Sequence, residues 1–142
     1  MSNYKNILVA LDLTEESSQI MQKAVALADG SKISLVHVIE PLAYAYGGDI
    51  PMDLSEVQTQ LQQQATEQLA KLASAASVSK DNQFVVIGQP ASEIHRIADE
   101  QDADLVVVGS HGRQGLALLL GSTSNGVLHG TKCDVLAVRV SA

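Results

Sequence analysis

A glycine-punctuated segment near the carboxyl end of the chain is the part best suited to bind an anion. Residues 105–123 read LVVVGSHGRQGLALLLGST, an apolar run that ends at Gly109 and is followed by Gly112 and the pair Gly121-Ser122. Glycine lets the backbone approach a ligand closely, and the free amides at the start of a helix attract negative charge. We therefore predict that this segment binds phosphate groups.

The spacing of these glycines matches neither of the two common phosphate-binding motifs. No Gly-Lys-Ser/Thr follows the segment, as a Walker P-loop requires. Gly109, Gly112 and Gly115 are spaced G-x-x-G-x-x-G, which differs from the dinucleotide fingerprint. From spacing alone, these glycines are equally compatible with turns and with phosphate binding.

The same loop contains His111, but its neighbours do not form a recognisable catalytic unit. A nucleophile needs a base and an orienting acid in fixed geometry, and the spacing links Ser110 and His111 to no particular aspartate, Asp104 included. We predict that His111 shapes the loop and that the chain has no catalytic residue. The segment is then a binding site rather than an active site.

Asp12 is a second candidate for ligand contact, because it ends the first apolar run of the chain. In an open parallel sheet, ligands bind beyond the carboxyl ends of the strands, where the winding direction reverses. If the first and fourth strands are neighbours there, Asp12 and Gly109 share one crevice. Asp12 would then accept hydrogen bonds from ribose hydroxyls or help to hold a magnesium ion. A purely structural role, ending the strand or capping a helix, stays open.

Short apolar runs must position these residues, and they alternate with amphipathic segments along the whole chain. The predicted strands are residues 7–11, 33–39, 84–87, 105–108 and 135–140. Uninterrupted apolar runs of this length are typical of strands that are covered on both faces. The alternation predicts an α/β fold, a doubly wound five-stranded parallel sheet, in one domain over residues 1–142.

The intervening segments are predicted to be helices. We expect Thr14 to cap the first helix and Gly30 to end it, and a long helix from Leu54 to Ala76. A third helix follows Gly88-Gln89-Pro90, with Ser92 or a neighbour as its cap. A fourth is expected to begin at the pair Gly121-Ser122.

Charge argues against several classes of partner. Nine basic and sixteen acidic residues give a net charge of −7, and no segment gathers lysine or arginine. We therefore expect no nucleic-acid partner and no anionic membrane surface, since both need clustered positive charge. A phosphate bound by this chain must be held by backbone amides and helix dipoles.

The remaining single residues predict location and packing. The amino terminus lacks the features of a secretory signal, which predicts a cytoplasmic protein. Cys133 is the single cysteine and is expected to be a small buried hydrophobe. His37 is expected to be partly buried, with one hydrogen-bonded ring nitrogen.

Five segments together carry a resemblance to a known family. In order they are NILVALD, SLVHVIEP, GQPASEIHRIADEQDADLVVVGSHGRQGL, LLLGST and DVLAVRV. Over essentially the whole chain this pattern resembles the universal stress protein family. The resemblance implies a Rossmann-like fold of the adenine nucleotide alpha hydrolase type, with strand order 3-2-1-4-5, and a stress-response protein that binds ATP as a regulatory ligand.

Members of that family that bind ATP carry a glycine, two residues, a second glycine, a spacer and a Gly-Ser or Gly-Thr pair. Here Gly109, Gly112, Gly121 and Ser122 fill those positions. The resemblance implies that Asp12 contacts the ribose. It also implies a group of residues that flank the adenine, called the adenine wall here: Ala10, Val38, Val108 and Gly109. A second implied group binds the phosphates: His111, Gly112, Arg113, Gly121, Ser122 and Thr123.

One departure from the pattern favours a different function. Eight residues separate Gly112 from Gly121, one fewer than is usual in the ATP-binding members, and this spacing resembles the branch that does not bind ATP. The alternative is a non-nucleotide interaction protein that forms a homodimer through residues 135–140, the strand that commonly pairs across the two-fold axis in this family. A very slow ATPase or self-phosphorylating enzyme that uses Ser122 is a third possibility.

Overall fold

The computed structural model of the chain describes residues 4–41, 55–110 and 133–139. In chain order the elements are β1 (Asn6–Ala10), α1 (Ser17–Leu27), β2 (Lys32–Ile39), α2 (Ser55–Ala75), β3 (Gln83–Ile87), α3 (Pro90–Glu100), β4 (Leu105–Gly109) and β5 (Asp134–Val138). A short 3-10 turn, Lys80–Asn82, leads into β3. All five predicted strands are present, each within two residues of its predicted ends.

The five strands form one parallel sheet in the order β3-β2-β1-β4-β5. This confirms the predicted α/β class and the predicted strand order. The first and fourth strands are neighbours, with Ile7 opposite Leu105 and Val9 opposite Val107. Because the chain winds outward from this pair in both directions, the carboxyl ends of β1 and β4 border the point where the winding reverses.

Both faces of the central strands are covered, as their uninterrupted apolar sequences predict. Ile7 and Val9 of β1 belong to a core that also contains buried side chains of α1 and α2. Leu8 and Ala10 point to the opposite face and pack in a second core with α3. All four side chains are at most 1% exposed, and β1 is the central strand of the sheet.

The first helix begins later and ends earlier than its sequence signals predict. It starts at Ser17, with Glu16 at the cap position and no side-chain cap bond, so the expectation that Thr14 caps it was wrong. Thr14 instead uses its hydroxyl to bond Asp12 and its carbonyl oxygen to accept the Ser17 N–H at 3.1 Å. The helix ends at Leu27, and Gly30, at φ +81°, lies in the turn that leads to β2.

The other two described helices are present where the sequence predicts them, but the expected cap of α3 by Ser92 or a neighbour was wrong. Helix α2 covers residues 55–75 of the expected 54–76, and buries Leu69 and Ala73 against the same core as α1. Helix α3 starts at Pro90 with Gln89 at the cap position, and neither Gln89 nor Ser92 makes a side-chain cap bond. Proline at the first position has no N–H to satisfy, which explains why the start tolerates this.

Candidate functional site

The carboxyl ends of β1, β4 and β5 lie at the same edge of the sheet. Ala10, the last residue of β1, pairs with Val36 of β2, and Gly109, the last residue of β4, pairs with Val138 of β5. Between them, the last registered pair of β1 and β4 is Val9 with Val107. Ala10 and Val108 are the next residues along these two strands, so they stand at the same level of the sheet.

The predicted adenine wall is brought together on one face of this edge. Ala10, Val38 and Val108 belong to the same apolar cluster, which they share with Ile94 of α3. Their exposed fractions are 1%, 4% and 0%, respectively. These side chains therefore form a closed apolar layer beneath the edge. A ligand at the edge would contact the backbone of the strand ends rather than these side chains.

Asp12 begins a tight turn immediately beyond β1. Its Oδ1 atom accepts the Thr14 N–H at 3.3 Å and the Thr14 hydroxyl at 2.9 Å. This is the Asx type of turn, in which an aspartate side chain bonds the backbone two residues further on. The residue is partly exposed, and both of these bonds from Thr14 go to Oδ1.

Leu13, which lies between Asp12 and Thr14, adopts an unusual backbone conformation. Leu13 has φ +60°, in the left-handed region that a branched hydrophobic residue rarely occupies. Such strain costs about 1–2 kcal/mol and is retained only where the surroundings hold it. The sequence pattern Asp-x-Thr could have signalled the Asx turn, but no sequence signal predicts this conformation at a leucine.

The turn is anchored to β2 through Leu11, which is fully buried. The Leu11 N–H donates to the Val36 carbonyl at 2.9 Å, and the Nδ1 atom of His37 lies 2.7 Å from the Leu11 carbonyl oxygen. This confirms the expected half-buried His37 with a bonded ring nitrogen. A carbonyl oxygen can only accept, so Nδ1 carries the proton.

The surroundings of His37 favour its neutral form. Burial lowers the pKa of His37 below the ordinary 6.5, against smaller opposing effects of the Leu11 carbonyl and the Asp12 carboxylate. The imidazole is therefore neutral at pH 7, with its proton on the nitrogen that faces Leu11.

The end of β4 contributes a buried polar atom that sequence reasoning missed. The Ser110 N–H donates to the Val138 carbonyl at 2.9 Å and so extends the pairing of β4 with β5 beyond Gly109. The Ser110 Oγ atom is buried and has no hydrogen-bond partner in the described part of the chain. A serine directly after a buried strand was the available signal.

The predicted phosphate-binding residues lie outside the described part of the chain. They are His111, Gly112, Arg113, Gly121, Ser122 and Thr123. The structure therefore brings together Ala10, Asp12, Val38, Val108 and Gly109 at one edge. The phosphate half of the site stays a prediction.

Three further findings concern the described residues alone. Nowhere in residues 4–41, 55–110 and 133–139 do three or more His, Cys, Asp or Glu side chains cluster so as to hold a metal ion. In those same ranges, no helix is long and apolar enough to cross a membrane. Cys133 is half-buried beside the α3 core, and burial together with Asp134 and Asp104 raises the pKa of its thiol.

Comparisons of sequence identify relatives over the full length of the chain. The model of the universal stress protein family matches residues 3–139. Universal stress protein A homolog 2 of Coxiella burnetii is 43% identical over 146 residues, covering 99% of this chain and 98% of the relative. Universal stress protein A homolog 1 of the same organism is 38% identical, with 96% of each chain covered.

Solved structures agree with this assignment. The protein MJ0577 superposes with a TM-score of 0.73 over 96% of both chains at 24% identity, which supports the fold. A universal stress protein solved in complex with cAMP superposes with a TM-score of 0.60 at 26% identity, covering 99% of this chain and 100% of the other. By the family model and by these relatives, this chain belongs to the universal stress protein family.

Proposed function

We propose that this chain binds an adenine nucleotide, ATP or a closely related adenylate, as a regulatory ligand in a cytoplasmic stress-response protein. The observation that carries the proposal is that β1, which Asp12 follows, and β4, which ends at Gly109, are neighbouring strands where the winding of the sheet reverses. Crevices at this point are the usual ligand sites of open α/β sheets. In the sequence, the segment with the predicted phosphate-binding glycines begins two residues after β4, whose carboxyl end lies at this edge.

Asp12 is the residue assigned to the ribose. An ionised carboxylate only accepts hydrogen bonds, and vicinal ribose hydroxyls are paired donors. Oδ1 is already bound to Thr14, which fixes the plane of the carboxylate, and a ribose hydroxyl would donate to Oδ2. The adenine would lie against the backbone of the strand ends, since Ala10 and Val38 are buried beneath it.

The phosphates require the residues beyond β4. With a net charge of −7, the protein must offset their charge locally, through backbone amides around Gly112 and Gly121 and the hydroxyls of Ser122 and Thr123. Magnesium commonly uses one or two carboxylates together with substrate phosphates. Asp12 fits that donor set as the one carboxylate that the protein would contribute to the magnesium ion. The nucleotide would supply phosphate oxygens as further ligands.

The solved universal stress protein that binds cAMP supports the class of ligand, because cAMP is an adenine nucleotide. We favour a regulatory role over catalysis because the spacing of Ser110 and His111 in the sequence links them to no particular aspartate, so the loop has no recognisable catalytic unit.

Calorimetric titration with ATP and Mg²⁺ tests this function. We expect saturable binding of one nucleotide per chain, and Asp12→Ala to weaken binding about tenfold by removing a charged acceptor. Asp81→Ala is the matched control, since Asp81 precedes β3 and so lies at the opposite edge of the sheet. Absence of heat at millimolar ATP, or equal losses in the two variants, would contradict the proposal.

We also propose that the protein is a homodimer through residues 135–140. Strand β5 is at the edge of the sheet, and among the described residues it pairs only with β4. Val138 directs its carbonyl toward β4, so the alternate residues Val135 and Ala137 direct their N–H and C=O groups outward. Such an apolar edge invites pairing with a second copy.

Sedimentation at micromolar concentration tests the dimer. Ala137→Pro removes one outward N–H without touching the bonds to β4, and we expect it to yield folded monomer. Ala137→Val keeps the N–H and should stay dimeric. A monomeric wild-type protein would overturn the dimer while leaving the nucleotide proposal in place.

A further inference from the structure

The turn that presents Asp12 is held by two consecutive residues of β2. Val36 accepts the Leu11 N–H through its carbonyl at 2.9 Å, and His37 donates from its ring to the Leu11 carbonyl at 2.7 Å. Both backbone polar groups of Leu11, its N–H and its carbonyl, are thereby hydrogen-bonded in a fully buried residue. The next residue along the chain is Asp12.

The conformation of this turn is not one that the chain adopts readily by itself. Leu13 has the left-handed φ of +60°, which disfavours any side chain with a Cβ. The two Asx bonds from Thr14 to Asp12 secure the far side of the turn. The bond from His37 secures the near side, so the Asp12 carboxylate is fixed between two anchors.

We infer that His37 is a positioning residue for the ribose end of the bound adenylate, acting through the Leu11 carbonyl on the orientation of Asp12. The inference rests on the proposed function and adds to it an explanation of how the Asp12 carboxylate is oriented. His37 does not itself contact the ligand. Its ring proton is committed to Leu11, and its place on β2 sets the direction of that bond.

Three substitutions separate the bond from the bulk of the side chain. His37→Leu keeps an apolar side chain of moderate size and removes the donor. His37→Asn places an amide N–H close to the position of Nδ1, whereas His37→Gln places it nearer to the position of Nε2. A positioning role predicts rescue by asparagine and not by glutamine, while a packing role predicts no such order.

Binding of two probes localises the effect to the ribose. We expect His37→Leu to weaken adenosine binding about tenfold, the loss typical of a misplaced hydrogen-bond acceptor, and His37→Asn to restore it to within about threefold. Adenine, which has no ribose, should bind the wild-type protein and the three His37 variants with equal affinity. In an Asp12→Ala background, His37→Leu should cause no further loss, because both changes act on the same contact.

The apo protein provides a readout that needs no ligand. ¹⁵N spectra of the imidazole should show the proton on Nδ1, and the Thr14 amide resonance should shift in His37→Leu and return in His37→Asn. If wild-type protein binds no adenylate, the proposed function fails and its ribose contact with it, while these spectra still decide whether His37 orients the turn at Asp12. An unshifted Thr14 amide in His37→Leu, equal losses in the leucine and asparagine variants, or additive losses with Asp12→Ala would overturn the inference.

Discussion

Asn6 and Asp104 are joined in both directions at the edge of the sheet opposite the candidate site. The Asn6 N–H donates to Asp104 Oδ1 at 3.0 Å, and the Asp104 N–H donates to the Asn6 carbonyl at 2.9 Å. Oδ2 of the same carboxylate accepts the Lys5 N–H at 2.8 Å. This network ties the start of β1 to the start of β4, so it fixes the two strands whose other ends border the site.

Asp104→Ala should therefore destabilise the fold. Two charge-assisted bonds are lost, and because the group is near the surface we expect a loss of about 1 kcal/mol in the free energy of unfolding. For a chain of this size that corresponds to a fall in Tm of about 3–5 °C. Thermal denaturation checks the value, with Asp81→Ala as a control for loss of charge. Equal Tm values for the two variants would contradict the assignment.

The same network predicts how stability changes in acid. Partial burial is the largest single influence on Asp104 and acts upward, but the N–H donors of Lys5 and Asn6, together with its own amide, lower the pKa of Asp104 below 3.8. A lowered pKa contributes stability above pH 3.8 that is lost as the pH falls through the folded-state pKa. Urea unfolding of wild type and Asp104→Ala should converge below pH 3.8. A difference that is independent of pH would refute this origin.

The fold could be predicted because its signals are continuous and local. The apolar runs of β1 and β4 are typical of strands covered on both faces, and periodic apolar residues define α2. Strand order was expected from the family resemblance rather than from composition. Helix ends were harder, because Thr14 and Gly30 are ordinary cap residues that tertiary bonds use differently here.

The site could be predicted only in outline. Asp12 was identifiable as the polar residue that ends a buried strand, and its position beside Gly109 follows from the strand order. The contact of His37 with Leu11 depends on residues 26 positions apart in sequence, so periodicity cannot reveal which carbonyl the ring bonds. The left-handed Leu13 arises from closure of the turn and has no signal in the residue type.

His37 should make the protein less stable in mild acid. Its folded-state pKa is lowered, mainly by burial, so protonation is harder in the folded chain than in the unfolded one. Full stability is present above pH 6.5, and stability falls as the pH drops through 6.5 toward the folded-state pKa. Denaturant unfolding between pH 7.5 and about 5 measures the slope. The asparagine side chain of His37→Asn does not titrate in this range, so this variant should lose the part of the pH dependence of unfolding free energy that His37 causes. An unchanged pH dependence would show that other groups cause it.

Gly88 and Glu93 form a close pair at the start of α3 that a Cβ would disturb. A Cβ built at Gly88 would lie 2.8 Å from Glu93 Cγ and 3.1 Å from its Cδ, so the Glu93 side chain would have to move. That motion would break the bonds that Arg96 donates to Glu93 at 3.0 and 3.2 Å. We expect Gly88→Ala to cost about 1–2 kcal/mol, as overpacking typically does.

A double-mutant cycle separates the clash from any backbone effect at Gly88. In a Glu93→Ala background the alanine Cβ meets no Glu93 side chain, so Gly88→Ala should cost at least 0.5 kcal/mol less, which is the size of coupling found between residues in contact. Arg96→Ala is the companion control, because it removes the ion pair and leaves the close approach in place. Equal costs of Gly88→Ala with and without Glu93 would show that the glycine is required by the backbone of the β3–α3 turn instead.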